Sequence, residues 1–136
     1  MVAGSDGERL LAETARRFRQ QTDRAILGLF GGNLLEIGQY FYRNDNFFLL
    51  LAGDPKRAHE FLDKVVEMHL TNLERFLGAV GPYLDVVLFG DDLGMDSGPF
   101  MAPKIYRKLF KPRHQRLCDF VKKHSRMKTF LHCCGS

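Results

Sequence analysis

The chain has 136 residues, 45% of them hydrophobic with twelve Phe, which suits one domain with a sizeable core and excludes a disordered polypeptide. Its net charge of +4 is polarised: Lys104 to Lys128 holds ten Lys/Arg against one acid, Asp119, which leaves ten Lys/Arg and fifteen Asp/Glu elsewhere. No apolar run approaches the ~20 residues that span a bilayer. Nor does an apolar segment follow Met1 as in a secretory signal, and three cysteines, two adjacent, make a poor disulfide framework, so the expected setting is a reducing cytoplasm with no membrane partner.

Residues 1–7 are set aside as loop or cloning residue, and Glu8 to Gln20 then reads as a helix with Leu10, Leu11, Ala15 and Phe18 near helical spacing. Ala25–Phe30, "AILGLF", is a short apolar run halted by Gly31-Gly32, the pattern of a buried strand entering a turn. Asn33 opens the next helix, with Glu36 three residues on as the partner of a capping box. "RNDN" at 43–46 ends it, and Phe47–Ala52 forms a short apolar helix or turn closed by Gly53. Asp54-Pro55 is a capping acid followed by Pro at the first helical position, and apolar residues from Ala58 to Val80 keep one face for about seven turns.

Gly81-Pro82 stops that helix, and Asp85–Phe89, "DVVLF", is a second buried strand. The loop "GDDLGMDSGPFMA" leads to a helix from Pro103, with an interruption expected at Pro112, which lacks a backbone donor. Lys128–His132 is a third strand. Apolar strands separated by amphipathic helices imply parallel βαβ units. The fold class is therefore α/β with about three parallel strands and flanking helices, one domain over 1–136. Three strands cannot close a barrel, so the chain is expected to be a segment of a larger α/β protein whose open edges self-association would cover.

Ligands gather at the carboxyl ends of strands in such folds. Three loops qualify: "GGN", "GDDLGMDSGP" and "HCCGS". The first carries glycines for a tight turn. In the second, Asp91 and Asp92 follow directly on a strand; adjacent carboxylates repel, and one can become a proton donor or line a substrate pocket. The competing reading gives one aspartate to a helix cap and leaves the other in solvent. In the third, strand alternation puts His132 and Cys134 on one side and Cys133 on the other. Imidazole plus thiolate suits Zn²⁺, which needs a third protein ligand: Cys118, Asp91, Asp92 or a residue outside the chain. A Cys nucleophile activated by His is the alternative use of the pair.

Together "DVVLFGDDLGMDSGPFMAPKIYRKLFKPRHQRL" and "FLHCCGS" resemble the middle of the uroporphyrinogen decarboxylase superfamily, and "LGLFGGNLLEIGQY" with "DPKRAHEFLDKV" resembles the part before it. The likeness runs from about Ala25 to Ser136. It implies a partial TIM (β/α)8 barrel, the chain being an incomplete central segment that is inactive by itself. In the methyltransferases of the superfamily, a His-x-Cys pair and a later Cys hold a zinc that activates a thiol acceptor. His132 and Cys134 match the first two ligands, which implies zinc, a corrinoid methyl donor and a corrinoid protein as partner. In the decarboxylase branch an early aspartate binds pyrrole N–H groups of a tetrapyrrole and no cofactor is needed. That aspartate does not map onto Asp91 or Asp92, which match the acidic loop instead.

Past that loop, Ile105, Leu109, Leu117, Phe120 and Val121 face a barrel and leave Lys/Arg outside. Without an aromatic stacking platform the basic stretch does not read as a nucleic-acid site. A non-catalytic basic module that binds anions is the reading of another class.

Overall fold

The computed structural model describes residues 5–135. Helix α1, Ser5–Gln21, starts three residues before the expected Glu8, so 5–7 are helical; residues 1–4 of the expected loop lie outside the described part. Strand β1, Leu27–Gly31, is followed by α2, Leu35–Tyr42, α3, Asn44–Gly53, and the long α4, Pro55–Val80. Strand β2, Val86–Gly90, precedes a two-residue antiparallel pair, β3 Gly94–Met95 and β4 Gly98–Pro99. A single turn α5, Pro103–Ile105, runs through a π turn at Tyr106–Phe110 into α6, Lys111–His124, and β5, Lys128–His132, closes the order.

The three long strands form one parallel sheet in the order β1-β2-β5, with Leu27 opposite Val86 and Val86 opposite Lys128. Helices flank it, and this is the arrangement of an arc of a TIM barrel. Alternation decides which strand residues meet the helices. Val87 and Phe89 are buried against them, while Leu27, Leu29 and Phe130 on the other face stay 53%, 73% and 53% exposed. Parallel sheets are ordinarily covered on both sides, so that bare apolar face stands out. A cavity of about 390 Å³ runs beside β1 between α1 and α4, lined by Leu29, Phe30, His69 and Phe76 among others.

Local signals explain most boundaries. Asp54 accepts the Arg57 N–H at 3.0 Å and Pro55 takes the first helical position, so α4 starts where the sequence places it. Leu62, Val66 and Leu73 of its apolar stripe are fully buried. Gly31 and Gly32 both adopt positive φ, 86° and 71°, a turn that L side chains resist. The interruption expected at Pro112 lies just upstream. Pro112 cannot donate to the preceding turn, and the five residues before Lys111 widen into the π turn.

Two expectations need correction. The Asn33–Glu36 capping box does not form: α2 begins at Leu35 with no side-chain cap from its N-cap residue, and the Asn33 amide bonds the Glu36 carboxylate instead. The basic residues of α6 are not all outside. Arg113 is buried, donating to Leu109 O at 2.5 Å and to Asp63 Oδ1 at 2.5 Å. No helix among the described residues is long and apolar enough to cross a membrane.

Candidate functional site at the strand ends

Despite a bulge between Leu29 and Gly31, the register brings the strand ends level: Gly31 lies opposite Phe89, and Gly90 opposite His132. The three loops that follow therefore converge. Asp91 N–H donates to His132 O at 3.1 Å, and Asp91's side chain crosses to α2.

The two adjacent aspartates meet opposite fates. Asp91 is 0% exposed. Both its oxygens accept the Leu35 N–H, at 2.9 and 3.1 Å, one also takes a longer bond from Glu36 N–H at 3.4 Å, and the other meets His114 Nε2 at 2.9 Å. It supplies the cap that α2 lacks, where the helix N-terminus favours negative charge. Asp91, expected to line a substrate pocket, has its acceptors committed to the interior. Asp92 is half-buried with its side chain at the surface. Its Oδ1 accepts Cys134 N–H at 2.8 Å and lies 3.9 Å from His132 Nε2.

His132 Nε2 and Cys134 Sγ are 3.0 Å apart. Cys133 is turned elsewhere, its sulfur accepting the Leu93 N–H at 3.4 Å. Asp92, His132 and Cys134 each offer a ligand atom, and these atoms all lie within 4.8 Å of one another. Tetrahedral zinc with Zn–N near 2.0 Å and Zn–S near 2.3 Å separates nitrogen from sulfur by about 3.5 Å, so this pair lies within about half an ångström of ligand spacing. Of the third ligands open to sequence reasoning, Asp92 is the one in place. Cys118 is half-buried on α6, held to Thr129. The backbone supports the cluster: Gly135, at φ 94°, packs so tightly on Gly94 that a Cβ would come within 2.2 Å of its carbonyl carbon.

Partial desolvation, and then the Asp92 carboxylate beside it, push the Cys134 thiol above its ordinary range; Glu36 adds to this. A nucleophilic cysteine needs the opposite shift, so the Cys–His nucleophile reading loses support. A cation would reverse the balance by favouring thiolate. Burial likewise pushes Tyr106 up, with the charge of Asp91 second.

Sequence reasoning missed His114 and Glu36 as neighbours of the site. His114 had a signal, since it falls four residues after Phe110 and three before Leu117, on a stripe that is otherwise apolar and buried. Glu36 was read as a cap, yet its carboxylate accepts Asp92 N–H at 3.4 Å and faces the cluster.

Parallel strands, helices over one face and polar groups collected at the carboxyl ends define a protein of the β/α-barrel class. Within that class, the family model for uroporphyrinogen decarboxylase (URO-D) matches residues 8–136, and the chain belongs to this family. Nothing among curated proteins or solved structures matches it.

Proposed function

We propose that this member of the family serves methyl transfer, with Asp92, His132 and Cys134 holding zinc and a corrinoid, carried by a partner protein, as methyl donor. The reading is carried by one observation: three donors of nitrogen, sulfur and oxygen type gathered within 4.8 Å at the carboxyl ends of parallel strands. Bound there, zinc would supply the Lewis acidity that lowers the pKa of an acceptor thiol. The chain's own residues do the rest. His132 and Cys134 are exposed and Asp92 partly so, which leaves room for a substrate thiol to approach. Cys134 must shed its proton to ligate, while Asp92 orders the Cys134 backbone through the 2.8 Å bond. By itself the chain is expected to be inactive and to self-associate over its open sheet edges, which light scattering after gel filtration would register.

The test is elemental analysis of protein purified without added zinc. Wild type should carry close to one equivalent, and His132→Ala should lose it. Wild type that stays metal-free even after zinc is supplied would sink the reading. It would favour porphyrinogen decarboxylation, for which the neighbouring carboxylates of Asp92 and Glu36 offer acceptors to pyrrole N–H groups.

A further inference from the structure

A carboxylate with no exposed surface is costly unless its acceptor directions are filled. Asp91 fills them with Leu35 N–H, Glu36 N–H and His114 Nε2. A carboxylate only accepts, so the proton in the last contact sits on Nε2. The other ring nitrogen, His114 Nδ1, is buried with no partner among the described residues. An orphaned buried nitrogen opposes folding, so stability alone is a poor account of this ring. The π turn just before α6 is a further irregularity in the same segment, of a kind frequent near functional sites.

We propose that Asp91 and His114 are positioning residues for the Asp92–His132–Cys134 cluster, fixing where the loop after β2 sits against the end of β5. The proposal rests on reading that cluster as a metal site. The linkage is short. His114 on α6 and the first turn of α2 hold the Asp91 side chain from two directions. One planar peptide joins Asp91 to Asp92, so displacing the first displaces the second. Asp91 N–H donates to His132 O, and the Asp92 side-chain Oδ1 accepts Cys134 N–H, so the brace reaches all three ligands. Groups that orient ligands from behind in this way strongly influence metal affinity.

The experiment titrates the whole chain with Co²⁺, reading the thiolate-to-metal charge-transfer band, and follows amide hydrogen exchange at Leu35 and Cys134 in metal-free protein. His132→Ala should abolish the band, which checks the metal site independently of the brace. His114→Leu should weaken Co²⁺ binding about tenfold or more, and His114→Gln, whose amide can donate to Asp91, should recover to within about threefold of wild type. Exchange at both amides should quicken in the Leu variant and recover in the Gln variant. If His114→Leu fails to fold, Asp91→Asn takes the same two readouts. A folded Leu variant with wild-type Co²⁺ affinity and unchanged exchange at Cys134 overturns the proposal, and so does equal loss in the Leu and Gln variants. Should wild type give no Co²⁺ band, the metal reading falls, and exchange at Cys134 alone decides whether the brace reaches the loop.

Discussion

Asp91 and Asp92 are the same residue type, adjacent in sequence, at the end of the same strand, and they sit in opposite environments. Around Asp91 everything is closed: a helix N-terminus, a histidine and a strand carbonyl use its polar groups, and no surface is left. Around Asp92 the geometry is open, with His132 and Cys134 exposed beside it. One peptide step separates a group that holds loops together from a group free to meet a ligand. Asp91, the first residue past β2, keeps the side of Val87 and Phe89 toward the helices, while Asp92, one residue further into the loop, turns to the end of β5.

Substitutions should separate the two regions, beginning with the largest effect. Asp91→Ala leaves the His114 and Leu35 N–H groups buried and unpaired, and should cost about 3–5 kcal/mol in urea unfolding. Asp92→Ala should cost less than about 1 kcal/mol, as surface changes do, while abolishing metal uptake. Equal losses from the two would break the comparison.

Gly135→Ala sharpens it from the open side. The φ of 94° and the contact with the Gly94 backbone should displace the loop at a cost of about 1–3 kcal/mol, with metal binding reduced in the same variant. Metal binding at the wild-type level there would show that the loop does not shape the cluster.

The smallest effect belongs to the closed side. Burial holds the pKa of His69 below its ordinary 6.5, against the raising influence of its Asn33 carbonyl contact. The unfolded chain therefore takes up this proton first. The contribution is complete above about pH 6.5 and is lost as pH falls through the folded value. His69→Gln keeps a donor for Asn33 O, and urea titrations at pH 7.5 and 5.5 (about one unit either side of 6.5) should show a shallower decline than wild type. An unchanged decline would place the pH dependence elsewhere.

Much of the fold could be read in the chain because its signals are local. Asp54-Pro55 starts α4, glycines end strands, and Lys128–His132 is β5 to the residue. Period-two reasoning paired His132 with Cys134, and the two meet at 3.0 Å, although β5 ends at His132 and Cys134 lies in the loop past it. What sequence reasoning could not supply were relations across the chain. A cap on α2 from 56 residues away competes with the local Asn33–Glu36 box and displaces it, since the buried Asp91 carboxylate accepts the Leu35 and Glu36 N–H groups at the helix start, the ones open to the Asn33 side chain in such a box. Arg113 was assigned to the outside because Lys/Arg runs usually are solvated, yet Asp63, 50 residues away, and the Leu109 carbonyl give it partners inside.

By itself the sequence determined the α/β class, the parallel strands, the three loops at which chemistry can sit, and the likeness to the family that the family model matches. Only the tertiary structure showed that Asp92, rather than Cys118 or Asp91, lies beside His132 and Cys134. The reason is that strand periodicity specifies which way a side chain leaves its own strand. It carries no information about the distance to a neighbouring loop, which depends on sheet register and on the helix ends that hold each loop in place.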